Sequence, residues 1–329
     1  MDNRVNLSKV AQDMGLSVST VSRALSGSGR VSEATRQNIA EYLKEKELVP
    51  NTRTKKYTDL ETRMIGVTIP EEDFFLKPYF QTVFSSVYDY FSIRDYHVVP
   101  IKIHSKDISD LKNAVSNHII DGVIVSSQNE NTDEIELLKE YGVPFVVIGT
   151  MDLPDVLQIE TDIEGACFDL TNALICKGYH KIAVMCAKHT LLNQKRFDGI
   201  LNAHVQNYMV LDRKFVFWGT ETESIAELAV EKILAGNMDC ILCMDDNLCL
   251  KVLLILRKLD VKIPQDIKIA SLHNSVLLDQ WHPSVTCIHY DTNQIGREAG
   301  KMLYTCLTEK QKLSRVKVGY EIQMRESTG

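Results

Sequence analysis

The 329-residue chain has no run of eighteen or more uncharged apolar residues, which excludes a conventional membrane-spanning helix. Its first residues, Met1-Asp2-Asn3-Arg4, lack the basic and then apolar segments of a secretory leader, so a cytoplasmic location is expected. No Gly-x-Gly-x-x-Gly, P-loop, His-Glu-x-x-His or nucleophile elbow follows any strand-like segment, and no local pattern suggests a triad. Catalysis is therefore not expected, nor is any cofactor or metal. No heptad-patterned tail follows the last strand-like segment, so a coiled-coil assembly is not expected.

The cysteines do not supply a site. Cys167, Cys176, Cys186, Cys240, Cys243, Cys249, Cys287 and Cys306 lie in apolar surroundings and read as reduced, buried small residues. Cys240 and Cys243 have C-x-x-C spacing inside the apolar run Cys240-Ile241-Leu242-Cys243-Met244. That run reads as a strand, on which residues three apart face opposite ways.

What is present is an uneven distribution of charge. The formal net charge is -7, yet residues 1–60 carry ten basic against seven acidic side chains. A slightly basic head on an acidic body suits a DNA-binding module attached to a larger domain. The head reads as three short helices. Leu7, Val10, Ala11 and Met14 recur at helical spacing behind an Asn6 N-cap. Gly15 then makes the turn, Ser17 caps the next helix, and Val21 and Leu25 turn inward. Val18, Ser19, Ser22 and Arg23 are left facing out. A third helix from Ser32 brings Ile39, Tyr42 and Leu43 to the same core. Two helices joined by so tight a turn form a helix-turn-helix.

The run from Asn6 to Ser26, with Arg30-Val31-Ser32-Glu33-Ala34-Thr35-Arg36 and Val49-Pro50-Asn51, resembles the headpiece of the lactose repressor and galactose repressor family of bacterial transcription regulators. The resemblance makes Ser17-Val18-Ser19-Thr20-Val21-Ser22-Arg23 the recognition helix. It implies that Val18, Ser19 and Arg23 read base edges and that Ser17, Thr20 and Ser22 hold phosphates. Arg30 and Asn51 belong to the matching stretches, and Lys55 to a basic linker that becomes a minor-groove hinge in the family. Tyr57 stands where the family carries a wedging leucine, and a tyrosine ring is large enough to offset the cost of unstacking a base step. A flexible tether is the alternative for this segment. Lys9, Met14 and Thr54 also depart from the family's usual residues.

From Met64 onward, short apolar runs alternate with amphipathic helices, a pattern of parallel sheets flanked by helices. Strands are predicted over 65–69, 98–103, 122–125, 145–148, 181–186, 215–217, 240–244, 267–271 and 285–288. The expected fold is α/β: a three-helix headpiece over 1–50, a hinge over 51–62, and a core over 63–329 of two doubly wound parallel-sheet subdomains. Resemblance to the same family, on Asp121-Gly122-Val123-Ile124, Gly142-Val143-Pro144-Phe145-Val146, Lys177-Gly178-Tyr179-His180-Lys181-Ile182 and Gln294-Ile295-Gly296-Arg297, implies a periplasmic-binding-protein-like core. It places subdomain one at about 63–160 and 290–316 and subdomain two at about 161–289 and 317–329. Since the family's tetramers carry a heptad tail not seen here, it also implies a homodimer.

Ligands of doubly wound sheets bind beyond the C-terminal ends of the strands. The loops there offer Asp73, Phe74, Ser126, Ser127, Thr150, Asp152, His189, Arg196, Trp218, Asp245, Asp246, His273 and Asn274. Carboxylates and an arginine pair with neighbouring hydroxyls while an aromatic ring stacks on a sugar's C–H face. Phe74, Ser126, Thr150, Arg196, Trp218, Asp246, His273 and Asn274 are the effector-site candidates. The family resemblance singles out Arg196, Asp246 and His273, the last standing where an acid or amide is usual. Structural roles compete at each: a helix cap or ion pair for Arg196, an N-cap for Asp245 and Asp246, a satisfied buried ring for His273, core packing for Trp218. The expected function is a repressor of carbohydrate-utilisation genes that binds operator DNA and is tuned by a sugar or sugar phosphate. The alternatives are control by a protein co-regulator and a sugar-binding module with no regulatory role.

Overall fold

The computed structural model describes residues 7–25, 31–46, 61–70, 78–104, 107–126, 132–149, 151, 156–309 and 315–329. Three helices form the head: α1 (Leu7–Asp13), α2 (Val18–Leu25) and α3 (Glu33–Glu45). Val10, Ala11, Val21, Ile39 and Leu43 are its buried core, with Met14, Leu16, Ala24 and Tyr42 packed around them. Gly15 makes the turn at φ +64°, a left-handed conformation that costs a residue with a Cβ more than glycine. The turn is closed by Leu16 N–H donating to Ala11 O at 2.9 Å. Tyr42 ties the third helix to the first through its hydroxyl, which donates to Asp13 Oδ2 at 2.6 Å. The Leu25 side chain, expected inward, lies outside the described set.

The core contains two six-stranded sheets. The first is built from β1 (Met64–Pro70), β2 (His97–Ile103), β3 (Gly122–Val125), β4 (Phe145–Ile148), β5 (Gln158–Thr161) and β11 (Arg315–Val318), in the order β11-β5-β4-β3-β1-β2. The second comprises β6 (Ile182–Met185), β7 (Val216–Phe217), β8 (Cys240–Cys243), β9 (Lys268–Ser271), β10 (Thr286–Tyr290) and β12 (Tyr320–Gln323), in the order β12-β10-β9-β8-β6-β7. The central strands β3, β6 and β8 are buried at every residue. This is why their sequences read as unbroken apolar runs.

Nine further helices are described: α4 (Pro78–Ser92), α5 (Ser109–Ser116), α6 (Asp133–Tyr141), α7 (Ile163–Cys176), α8 (Leu191–Gln206), α9 (Glu223–Ala235), α10 (Asp246–Lys258), α11 (Val276–Asp279) and α12 (Thr292–Glu309). The chain passes from one sheet to the other between β5 and α7, between β10 and α12, and between β11 and β12. A carboxylate pins the start of each sheet's first strand. Asp121 accepts from Thr62 N–H and Arg63 N–H at 2.8 Å; Asp239 accepts from His180 N–H at 2.9 Å and Lys181 N–H at 2.8 Å.

Three strands escaped the sequence pattern. β5 reads Gln-Ile-Glu-Thr and β11 reads Arg-Val-Lys-Val, too polar and short to stand out. β12 pairs antiparallel with β10, so the second sheet is not wholly parallel as expected. The short α11 was not anticipated either. Cys240 belongs to the core between the sheets and Cys243 to the outer core of the second sheet. The strand thus turns them to opposite faces, and both are free thiols. Burial pushes the Cys240 thiol above the range in which it would react as a thiolate.

Candidate operator-reading helix and effector cleft

Helix α2 starts at a serine cap. Ser17 Oγ accepts from Thr20 N–H at 3.1 Å and lies 2.8 Å from both Ser19 Oγ and Thr20 Oγ1, so the hydroxyls form one cluster at the helix start. Val18 is 46% exposed although it is apolar, and Ser19 and Arg23 are also exposed, while Thr20 is half-buried. Val21 beneath them is fully buried. The helix thus presents Val18, Ser19 and Arg23 on an outward face that the core does not use. The Ser22 side chain, and Arg30, Asn51, Lys55 and Tyr57, lie outside the described residues.

The cleft is assembled where strands of the second sheet end. Asp245 and Asp246 follow β8 and divide their work: Asp245 Oδ1 accepts from Leu248 N–H at 2.8 Å and caps α10, so Asp246 is released from capping. Asp246 Oδ1 lies 3.3 Å from His273 Nδ1, beyond β9, without the alignment of a hydrogen bond. Burial pushes the Asp246 carboxyl up, but His273 and Ser275 stabilise its charged form and leave it below the ordinary carboxylate value.

His273 stacks at 5.9 Å and 27° on Tyr290, the last residue of β10, and meets Tyr79 of α4 edge-on at 6.1 Å. Tyr79 belongs to the helix after β1, so the contact bridges the two halves of the core. Arg196 is 7% exposed on α8. Its Nη1 donates to Asn193 Oδ1 at 3.0 Å, and Asn193 Nδ2 donates to Lys188 O at 2.9 Å. Burial pushes the Tyr290 hydroxyl well up, with Arg196 close enough to oppose the shift.

Four buried polar atoms here have no hydrogen-bond partner: Arg196 Nε, His273 Nδ1, Asn274 Oδ1 and Tyr290 Oη. A buried polar atom left unsatisfied costs about 1–3 kcal/mol, which makes these atoms candidate contacts for a polar ligand. Asn274 is half engaged, its Nδ2 donating to Asp279 Oδ1 at 2.9 Å.

Trp218 follows β7, packs edge-on against Phe197 at 5.5 Å, and stacks flat on His189 at 3.8 Å. It therefore packs on the core, as the competing structural role allows. Ser126 is buried with its hydroxyl donating to Thr68 O, which turns it toward β1 rather than toward open loops. Phe74 and Thr150, with Asp73, Ser127 and Asp152, lie outside the described residues. Sequence reasoning missed Tyr79, Asn193 and Tyr290. Tyr290 was within reach, because the strand-end rule applied to β10 yields it once the strand is extended two residues past Ile288.

The profile for the lacI family of bacterial regulatory proteins matches residues 6–51, and that for the periplasmic binding protein-like domain matches residues 171–328. The chain carries a LacI-family DNA-binding domain joined to a periplasmic-binding-like domain. Catabolite control protein A of Staphylococcus xylosus is 25% identical over 311 residues, 93% of each chain. The HTH-type transcriptional regulator CelR of Thermobifida fusca is 25% identical over 334 residues, 98% of each. A solved complex of the regulator CelR with cellobiose superposes with a TM-score of 0.73 at 25% identity, covering 98% of this chain and 100% of that one. These similarities agree with the family resemblance read from Ser17 to Arg23. The relatives are transcription regulators rather than enzymes. Among the described residues no helix is long and apolar enough to cross a membrane, and no cluster of His, Cys, Asp or Glu is suited to a metal.

Proposed function

We propose that this LacI-family regulator represses carbohydrate-utilisation genes and that a sugar or sugar phosphate in the Arg196–His273–Tyr290 cleft changes its affinity for operator DNA. The observation that carries the reading is the set of buried atoms without a hydrogen-bond partner on Arg196, Asn274 and Tyr290, with His273 held beside Asp246. They supply donors and acceptors, with the His273 ring stacked on Tyr290, as a polyhydroxylated ligand requires. Asp246 adds a charged acceptor. The resemblance to a regulator solved with cellobiose points to the same ligand class.

The operator side rests on Val18, Ser19 and Arg23 reading bases, with Ser17, Thr20 and Ser22 at phosphates. Arg30, Asn51 and Lys55 extend the phosphate contacts, and Tyr57 wedges the minor groove. The domain division is the one expected from the sequence: headpiece 1–50, hinge 51–62, core 63–329. Paired hinges require a homodimer, and the second subdomain offers a surface for it. Ile225 and Leu228 on α9, Leu254 on α10, and Val276 and Leu277 on α11 are each 43–59% exposed. Helices α9 and α10 are held side by side by Lys258 Nζ and Glu227 Oε1 at 2.7 Å. Apolar side chains standing out on neighbouring helices fit burial against a second copy.

Calorimetry of the full-length protein against cellobiose, other sugars and sugar phosphates tests the effector assignment. Saturable binding that Arg196→Ala abolishes supports it. Absence of binding across the panel sinks it and favours control by another protein.

A further inference from the structure

At the opposite end of the second sheet from the cleft, around the start of β6 and the end of α8, is a cavity of about 290 Å³. Ile182, Leu211, Phe215 and Met238 give it one apolar wall, and exposed Val210 stands with the exposed His180, Lys181 and Asp212 on a largely polar rim. His204 is the one deeply buried polar side chain among the residues that line it. Val210 is 91% exposed, so the cavity opens to solvent along that wall. None of these residues takes part in the cleft or in DNA contact.

His204 is 2% exposed and its Nδ1 lies 2.8 Å from Ile200 O. A carbonyl oxygen only accepts, so Nδ1 carries the proton and Nε2 is an acceptor. Among the described residues no protein group donates to Nε2. Burial lowers the His204 pKa and outweighs the opposing bond to Ile200 O, so the ring stays neutral. A neutral ring presenting a lone pair repels an anion and welcomes an O–H or N–H donor.

We propose that this cavity is a second small-molecule site, for a neutral compound with an apolar body and one hydroxyl group that donates to His204 Nε2. The volume holds a single ring with its substituent. The apolar wall of Ile182, Leu211, Phe215 and Met238 supplies the hydrophobic gain, the imidazole supplies the orientation, and the hydroxyl end of the ligand is the end that meets polar groups. The same helix carries Arg196 eight residues earlier, a rise of about 12 Å. An occupant at the His204 end therefore bears on the helix that places the cleft arginine. The site stands independently of what the cleft binds.

Phenol, with toluene as the analogue lacking the hydroxyl, tests this on the full-length protein. The readouts are calorimetry and the His204 ring nitrogen signals. Phenol is expected to bind saturably and to shift the Nε2 signal, with toluene roughly tenfold weaker because it forms no hydrogen bond. His204→Phe should bring phenol down to the toluene level. Val210→Arg, on the exposed wall, should weaken both ligands and preserves the test if His204→Phe does not fold. Failure of phenol to saturate, equal binding of phenol and toluene, or phenol binding unchanged in either folded variant would overturn the proposal.

Discussion

Asp246 and His273, at the ends of the adjacent strands β8 and β9, stand with Oδ1 and Nδ1 3.3 Å apart in a largely buried setting. Burial raises the Asp246 carboxyl, but His273 and Ser275 hold it below its ordinary value of 3.8. A carboxylate depressed in the folded state stabilises the fold above its unfolded pKa, and that contribution is lost as pH falls through the folded pKa. Chemical denaturation at pH values falling from neutral to below 3.8 should show a loss of stability in the wild type that Asp246→Asn reduces. The same substitution should weaken effector binding at neutral pH by about 1–3 kcal/mol, because a charged acceptor is replaced by a neutral one.

Operator recognition makes a different demand on arginine and lysine. Arg23→Ala should cost about 1–3 kcal/mol and relax base preference at one operator position. Lys55→Ala should weaken binding to all sequences alike and lower the salt slope by about one. Anisotropy titrations over a set of single-base operator variants, repeated at two salt concentrations, separate the two outcomes.

The hinge proposal concerns Tyr57. If its ring wedges a base step, Tyr57→Ala lowers operator affinity much more than non-specific affinity, because only the kinked complex uses the ring. Competition against random duplex measures the ratio, and equal losses in both would remove the wedge.

Gly199 tests the packing that sets Arg196 in place. A Cβ there would collide with the Glu164 carbonyl oxygen and come within 2.9 Å of Cys167 Cβ. Helices α7 and α8 approach so closely only because this residue has no side chain. Gly199→Ala should therefore destabilise by about 1–3 kcal/mol, visible in urea unfolding. It should also weaken effector binding, since Arg196 sits on the same helix three residues before Gly199.

Much of this architecture is legible in the chain because buried parallel strands must be apolar throughout. The runs around Val123, Val184 and Ile241 announce themselves for that reason. The headpiece is legible because a three-helix core needs Val10, Val21 and Ile39 at fixed spacing, with a residue tolerant of positive φ at Gly15. Strands without an apolar run are not legible: Arg315–Val318 covers a sheet margin and keeps its polar alternation, and Gln158–Thr161 beside it is as polar, whereas the apolar edge strand His97–Ile103 could be read. The cleft is legible in part. Asp246 and His273 follow from the strand-end rule, yet adjacent Asp245 and Asp246 cannot be separated until the helix start shows which of them caps. Tyr79 comes from the other half of the core, and no local pattern links it to His273.

A sugar-tuned regulator must read a specific DNA sequence and release or tighten on it in response to a sugar. Selecting duplexes from a random pool with the full-length protein, then titrating the selected duplex with and without cellobiose and the other sugars, measures both. The expected result is a pseudo-palindromic site, with affinity shifted roughly 5- to 150-fold by one of the sugars. Enrichment of no sequence, or an operator affinity that no sugar changes, would contradict it.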